Sequence, residues 1–461
     1  MAYMYQFGIK VKRLILVAGD FAVFQLALAL TLLIRYGRID QATLENHVLP
    51  FSILGLVWII SFYIVGLYNL SLTRDNLTFF RTFLEGMVVN LLLALGFFYL
   101  FPFFGIAPRT NLILDFALIL LLGYIWRLTY NKLIAPALFR NRILFVGHAS
   151  DAQRIHSLLR TSAMGFELAA VAETAPGSRF DDGSITWHVD INLISDILKE
   201  RGIHTIVLGH RPDDIPGLRD SLYATLFTPV TLVDRASLEE TVTGRLPLEY
   251  VSQTWFLEHL REQDKIWYDS FKRIADVILA IPFGILMLVI YPLAALATKI
   301  VSPGPVLYSQ VRVGKHGKLF RLYKFRSMHL NSEKDGPQFT SSTNDPRVTP
   351  VGRIMRPLRI DELPQIWNVI KGDLSFIGPR PERPEFVAPL VERMPFYALR
   401  HLTRPGLTGW AQVNLLDPTT AIEDNLKKLQ YDLYYIKNRS PLLDVAIMLK
   451  TVGIVLRRKG T

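Results

Sequence analysis

The sequence predicts a membrane protein in three successive parts: a four-helix transmembrane bundle, an α/β Rossmann-like module, and a re-entrant membrane helix leading into a compact, mostly α-helical domain. Three observations carry this. Four long apolar stretches fill residues 14–130. Strand-like and helix-like segments then alternate between 142 and 234. A fifth apolar run, 274–300, is free of charge from 277 to 298 yet contains Pro282 and Pro292. The boundaries implied are 1–135, 140–262, 266–300 and 301–461.

The first four stretches, 14–34, 51–70, 86–104 and 112–130, are each about long enough to cross a hydrocarbon core of ~30 Å. The second and third carry no charge across their span. Asp20 interrupts the first, and Asp115 and Arg127 the fourth. A buried helix of a large soluble protein is the alternative, but four such segments with almost no polar face argue against it. The basic N-terminus (Lys10, Lys12, Arg13) leads into an apolar stretch longer than a signal peptide and without a small-x-small site, so we read it as a retained helix. Basic residues before the first span, between the second and third (Arg74, Arg81) and after the fourth (Lys132, Arg140, Arg142) predict cytoplasmic ends. Arg35, Arg38 and Arg109 on the opposing loops make this bias moderate.

In the middle segment, RILFVGH (142–148), FELAAVAE (166–173), IHTIVLG (203–209) and PVTLVD (229–234) read as buried strands separated by helices. That alternation implies a small parallel sheet. Its first turn offers only Gly147 where a dinucleotide site wants Gly-x-Gly-x-x-Gly, so the module reads as structural or regulatory. In the fifth apolar run, a helix-interior proline costs ~3 kcal/mol or a kink. We expect helix–break–helix at Tyr291-Pro292, entering and leaving on the cytoplasmic side. The polar stretch 331–347 reads as a long loop and a lid.

Composition narrows the chemistry. The 461 residues carry a net charge of +11, which points to an anionic partner. There is no cysteine, which excludes disulfides, thiolate catalysis and thiolate metal sites. Ten scattered histidines without His-Glu-x-x-His speak against a zinc hydrolase. The stretch RIDELPQIWNVIKGDLSFIGPRP then draws the eye. Taken alone, Asp361 and Glu362 read as a helix cap and a macrodipole partner at the start of a helix that ends at Gly372. But Arg353 and Arg356 precede them, and Arg380 and Arg404 sit in proline-fixed turns, GPRP (378–381) and TRPG (403–406). Rigidly held arginines suit phosphate oxygens, and Mg²⁺ typically takes one or two carboxylates with phosphates completing its shell.

From about Lys272 onward the chain resembles the bacterial sugar transferases that act as polyprenyl-phosphate phosphoglycosyl transferases. The resemblance rests on KRIAD (272–276), SPGPVLYSQVRVGKHGKLFRLYKFRSM (302–328), DPRVTPVGRIMR (345–356), DELPQIWNVIKGDLSFIGPRPE (361–382) and RPGLTGWAQVN (404–414). The four spans plus α/β module resemble the long form of that family, and KLQYDLYYIKNRS (428–440) resembles members that start exopolysaccharide synthesis. The resemblance implies a catalytic domain that moves sugar-1-phosphate from a UDP-sugar to undecaprenyl phosphate, releasing UMP. It implies Asp361 as the nucleophile that carries the phosphosugar, Glu362 as the Mg²⁺ ligand, and Arg356, Arg380, Arg404 and Lys324 as phosphate contacts. It implies that Lys272, Arg273 and Asp276 anchor the re-entrant helix at the headgroups and that Pro292 bends it. The family often bends that helix at Ser-Pro; here the residue before Pro292 is Tyr291. The basic excess is then assigned to UDP, lipid phosphate and the anionic leaflet of the bilayer rather than to nucleic acid. The implied location is a bacterial inner membrane with the acid pair facing the cytoplasm, and a homodimer is the base-rate assembly.

Two rivals make different demands. A membrane-anchored nucleotide-sugar dehydratase or epimerase needs a glycine-rich loop and Tyr-x-x-x-Lys; Tyr268 and Lys272 have that spacing, but outside the α/β segment. A non-catalytic export scaffold has no need of an intact acid pair.

Overall fold

The computed structural model describes residues 2–38, 40–68, 76–100, 109–134, 141–161, 165–173, 185, 194–225, 228–260, 262–330, 332, 345–415 and 421–456. It divides into two compact units, Met1–Thr243 and Gly244–Thr461. Among the described residues, five helices are long and apolar enough to cross a membrane, as expected of a membrane protein.

Four of them open the first unit: α1 (Ala2–Tyr36), α2 (Gln41–Val65), α3 (Asn76–Leu100) and α4 (Arg109–Thr129). Helix α2 starts where Asp40 accepts the Thr43 amide at 2.9 Å and stops at Gly66, whose φ of 92° only glycine takes easily. Leu16, Phe24, Trp58, Phe62, Phe83 and Ile119 pack between the helices. Two of the charges that interrupted the apolar stretches, Asp20 of the first and Arg127 of the fourth, are partners. Arg127 donates from Nε to Asp20 Oδ1 at 3.0 Å and from Nη1 to the Leu67 carbonyl at 2.8 Å. The Tyr68 hydroxyl completes Asp20 at 2.7 Å. Ionisable groups within apolar helices are retained where they pair inside the protein.

The sheet of the first unit is wholly parallel, in the order β2-β1-β3-β4. Its strands are β1 (Asn141–Gly147), β2 (Phe166–Glu173), β3 (Thr205–Leu208) and β4 (Thr231–Asp234). The strands fall on the predicted segments because each is a short apolar run bounded by turns. Both faces are covered. Ile143, Phe145 and Val207 pack on α5 (Ala149–Thr161) through Ala152, Ile155 and Leu159. Leu144, Val146 and Ile206 pack on α6 (Ile194–Glu200) and α7 (Leu218–Ala224). Helix α8 (Arg235–Thr243) closes the unit.

The second unit begins with α9 (Gln253–His259) and the long helix α10 (Ile266–Val301). Helical structure in α10 runs through both Pro282 and Pro292. This corrects the expected interruption at Tyr291-Pro292. Each proline removes one hydrogen bond, but aromatic neighbours pin the helix to the domain. Phe283 packs on Phe376 at 5.6 Å and Tyr291 on Phe325 at 5.7 Å between ring centroids. Packing therefore outweighs the local cost.

The rest of the unit comprises an antiparallel hairpin, β5 (Leu307–Val313) and β6 (Leu319–Phe325), followed by α11 (Pro350–Met355) and α12 (Gln365–Lys371). A short parallel pair follows, β7 (Ser375–Ile377) and β8 (Gly406–Thr408), with α13 (Pro384–Arg393) between them. Helices α14 (Trp410–Asn414), α15 (Ile422–Asn438) and α16 (Pro441–Leu456) complete it. Helix α10 meets this domain along its whole length: Ala280 against Leu322, Ile366 and Leu374, and Ala294 against Phe325 and Met355. Of the predicted lid at 331–347, residues 331 and 333–344 lie outside the described residues.

The predicted anchors at the foot of α10 turn inward, to protein partners rather than to headgroups. Arg273 donates to the Val369 and Ile370 carbonyls at 2.6 and 2.7 Å, near the C-terminal end of α12, where a cation complements the helix dipole. Asp276 Oδ1 accepts from the Ser375 hydroxyl at 3.0 Å and the Phe376 amide at 3.1 Å. Lys272 and Tyr268 both donate to Asp444 Oδ2 at 2.7 Å. That shared partner explains the Tyr-x-x-x-Lys spacing: one helical turn brings both side chains onto the carboxylate of α16.

Candidate active site

The acid pair does not open a helix. It lies in a single 3₁₀ turn, Ile360–Glu362, ahead of α12, and neither side chain caps a helix. Thr349 caps α11 by accepting the Gly352 amide at 3.0 Å. Gly352 is required because a Cβ there would fall 2.1 Å from the Ser327 carbonyl oxygen. Arg359 then turns the chain with φ of 55°, a left-handed conformation uncommon for a residue with a side chain. Helix α12 stops at Gly372, φ 96°, where the sequence placed its end.

Glu362 Oε1 faces three cations: Lys324 Nζ at 3.4 Å, Arg380 Nη2 at 3.5 Å and Arg359 Nη1 at 3.6 Å. Burial alone would push its carboxyl up, but Lys324, Arg380 and Arg359 outweigh it and hold Glu362 well below the usual carboxylate range. Asp361 is 6% exposed and makes no hydrogen bond or ion pair among the described residues. Burial, and then the negative charge of Glu362, push its carboxyl up; Lys324, Arg356 and Arg359 only partly offset this. Two adjacent acids are thus driven apart: one firmly ionised and held, the other unheld and destabilised as an anion. For Lys324 burial is again the larger influence, lowering its pKa against the pull of Glu362.

Lys324 reaches the pair because β6 is tied to α12. Asn368, fully buried, donates to the Arg321 carbonyl at 2.7 Å and accepts the Tyr323 amide at 3.2 Å. Arg380 reaches it because its loop is gripped on both sides. Arg400 Nη2 donates to the Arg380 carbonyl at 3.1 Å, and Arg312 Nη1 to the Pro381 carbonyl at 3.1 Å. Glu382 is bonded by Lys428 at 3.0 Å. Arg404 has no such contact with the acids. Its loop is stitched to the Arg380 loop by the backbone, Gly406 N to Pro379 O and Gly378 N to Thr408 O, both 2.9 Å. Arg404 lines a cleft to which neither acid contributes. A Cβ on Gly406 would lie 2.1 Å from the Gly378 nitrogen. Gly406→Ala is therefore expected to disrupt this loop pair and make the second unit sensitive to protease.

Of the residues singled out by sequence, Asp361, Glu362, Lys324 and Arg380 come together, and Arg356 acts electrostatically on Asp361. Arg359, which flanks the pair in sequence, meets Glu362 through its left-handed backbone conformation. Two contributors escaped the sequence. Asn368 reads as an ordinary polar helix residue. Arg400 gave no signal beyond its nearness to TRPG.

Comparison with known proteins places the chain among relatives. Residues 267–458 match the family model of bacterial sugar transferases. The chain is 41% identical over 257 residues to a UDP-N-acetylgalactosamine-undecaprenyl-phosphate N-acetylgalactosaminephosphotransferase of Aeromonas hydrophila, covering 55% of this chain and 59% of that protein. It is 31% identical over 396 residues to a UDP-glucose:undecaprenyl-phosphate glucose-1-phosphate transferase of Klebsiella pneumoniae, covering 80% of each. It is 30% identical over 372 residues to an undecaprenyl-phosphate galactose phosphotransferase of Salmonella typhimurium, covering 75% of this chain and 74% of that one. Nothing in the site or among these relatives favours a dehydratase, an epimerase or a non-catalytic scaffold. With a relative 31% identical over 80% of each chain and the family model matched over residues 267–458, the chain belongs to the bacterial sugar transferase family.

Proposed function

We propose that this chain transfers a sugar-1-phosphate from a UDP-sugar to a polyprenyl phosphate and releases UMP, as the first membrane step of an exopolysaccharide or related glycan. One observation carries the reading: a buried carboxylate, Asp361, left without a partner among the described residues beside a second acid held by three cations. A structural carboxylate buried at this cost is normally paired; a nucleophile has to stay free.

Asp361 attacks the phosphorus that bears the sugar. A P–O bond forms to its carboxylate, the bond to the bridging oxygen of UMP breaks, and UMP leaves with the electron pair. An oxygen of the lipid phosphate then attacks the same phosphorus and returns Asp361 as a carboxylate. Dividing one transfer between two polyanions into two steps is the gain of covalent catalysis. Arg380, Arg359, Arg356 and Lys324 surround the acids and are suited to phosphate oxygens on which charge develops.

The donor set also suits Mg²⁺. The described residues contain no cluster of three or more metal-ligating side chains, but Mg²⁺ held by one or two carboxylates and substrate phosphates needs none. Three cations crowd Glu362 Oε1, while Oε2 is bonded by none of the described residues, so Glu362 would hold the ion, with Asp361 beside it. The ion when bound would offset the charge of the diphosphate.

Contacts along α10 support a helix that enters and leaves on one side, which for an uninterrupted helix requires a bend within it at Pro282 or Pro292. Asp276 and Ala294 meet the same domain from opposite ends of the apolar run, which a straight crossing of a ~30 Å hydrocarbon core does not permit. On this reading the acid pair faces the cytoplasm, and the α/β sheet has a supporting or regulatory part. Single cysteines at 265 and 305 of this cysteine-free chain are expected to label from the same side; labelling from opposite sides rejects re-entry. For the reaction, membranes given a panel of UDP-sugars, polyprenyl phosphate and Mg²⁺ are expected to release UMP and label the lipid. UMP release with no donor in the panel rejects the transfer.

A further inference from the structure

The hairpin that brings Lys324 to the acid pair brings other side chains with it. Alternate residues of a strand share one face. Strands β5 and β6 pair so that Tyr308 stands opposite Lys324, Gln310 opposite Leu322 and Arg312 opposite Phe320. These six residues therefore form one face of the hairpin. Leu322 and Phe320 pack that face on Ala280 and Ile366. Lys324 meets Glu362 at 3.4 Å, and Arg312 donates to the carbonyl of Pro381, next to Arg380, at 3.1 Å. Tyr308 and Gln310 thus lie on the same side of the hairpin as the acid pair.

Both are left open to a ligand. Tyr308 is 41% exposed, while the exposed apolar residues of the hairpin, Leu307, Val311 and Leu319, lie on its opposite face. The ring is therefore no part of their apolar surface. Arg312 Nη2 donates to Gln310 Oε1 at 2.5 Å, which fixes the way the amide faces. Gln310 Nε2, with two donors, bonds nothing among the described residues. A solvent-facing ring and a fixed amide donor beside phosphate-binding cations suit a nucleotide base. A base stacks on an aromatic face whatever its identity. The amide donor adds a preference, because it complements a ring carbonyl. Uracil has two carbonyls; cytosine carries an amino donor in place of one of them. Opposed residues of an antiparallel pair have Cβ atoms about 4.5–5.5 Å apart. A base on Tyr308 is then close enough to Lys324 for a ribose to join it to phosphates held by the cations.

We infer that Tyr308 and Gln310 seat the base of the donor nucleotide, Tyr308 by stacking and Gln310 by a hydrogen bond that prefers uracil, with Arg312 positioning the Gln310 amide. This rests on the transfer reading above and adds to it the groups that tell a uridine donor from a cytidine one. It also confines both residues to the first half of the reaction, because UMP has left before the lipid phosphate attacks.

The test begins without turnover. The full-length protein in detergent is melted with UMP, CMP or ribose 5-phosphate, and UMP is expected to raise the melting temperature most. Tyr308→Ala should erase the excess of UMP over ribose 5-phosphate, and Tyr308→Phe should keep it. Gln310→Glu still accepts from Arg312 but has no amide donor, so it should erase the excess of UMP over CMP. Equal effects of the three ligands on the wild type, or an excess over ribose 5-phosphate that survives Tyr308→Ala, overturn the base seat. A preference for UMP over CMP that survives Gln310→Glu overturns the role of the amide. In the reaction, Tyr308→Ala should lower kcat/KM for the UDP-sugar about tenfold and leave kcat/KM for polyprenyl phosphate unchanged, since only the donor step holds the base. Tyr308→Phe should restore the donor value. Equal losses for both substrates would mean that Tyr308 serves the hairpin alone, and overturn the inference. Absence of UMP release by the wild type from every donor rejects the transfer reading; the melting comparisons need no turnover and still decide the base seat.

Discussion

Asp361→Asn should abolish turnover and yet yield a more stable protein. The loss of activity follows from the nucleophile's role: an amide cannot carry the phosphosugar, and kcat should fall by at least about 10³-fold. The gain in stability follows from the site. Asp361 is buried and unbonded among the described residues, and burial and then Glu362 push its carboxyl up. A carboxyl whose folded pKa lies above its unfolded value of ~3.9 binds its proton more tightly when folded. It adds stability at low pH. That contribution is lost as pH rises from the ordinary carboxylate value through the raised one. At neutral pH the ionised group is therefore a net burden, which Asn removes. The melting temperature should rise by about 2–4 °C, and the pH dependence of stability should flatten across that window. The same raised pKa sets the acid limb of kcat/KM, which reports the free enzyme: the rate should fall, as pH drops, above the ordinary carboxylate range. Near-normal activity of the variant rejects Asp361 as nucleophile. Lost activity with lower stability rejects the picture of an unheld, destabilised anion.

What could be read in advance divides along physical lines. The apolar stretches, the four strands and the stop at Gly372 were legible because each depends on neighbours in sequence. The acid pair and its arginines were legible as a motif. The path of the chain at the pair was not. Acids followed by proline read as a helix N-terminus, but the acids sit in a 3₁₀ turn entered through a left-handed Arg359. Prolines in α10 read as a break, because the packing of Phe283 and Tyr291 that holds the helix together comes from residues 325 and 376. Lys272 read as a headgroup anchor, because its carboxylate partner stands at 444, a whole domain later. Arg404 read as a companion of Arg380. The two are indeed companions, but through backbone hydrogen bonds between glycine-bearing loops, and only Arg380 meets Glu362. Motif spacing reports which residues matter sooner than it reports what each one touches.

The hold on Arg380 is the other place where a single substitution should have a large effect. Arg400 is almost fully buried and bonds three groups: the Tyr397 hydroxyl at 2.5 Å, Asp432 Oδ2 at 2.8 Å and the Arg380 carbonyl at 3.1 Å. Asp432 is buried as deeply. Arg400→Met leaves that carboxylate without its counter-ion, at an expected cost of ~3–5 kcal/mol, and unfolding of the second unit should follow at moderate temperature. Removing both charges, Arg400→Met with Asp432→Leu, should recover most of this, since a buried ion pair exchanged for apolar side chains of similar size is often neutral. Activity should not return with it. Nothing in the double variant holds the Arg380 carbonyl, so the guanidinium that meets Glu362 loses its fixed position. A misplacement of about 1 Å at a reacting centre can cost 10²-fold. The double variant should therefore melt near the wild type and turn over at least about tenfold more slowly at saturating donor. Recovery of both stability and rate would mean that the pair serves the fold alone. A mild effect of Arg400→Met by itself would mean that Asp432 finds another partner, and that the grip on the loop lies with Arg312 and the Glu382–Lys428 pair instead.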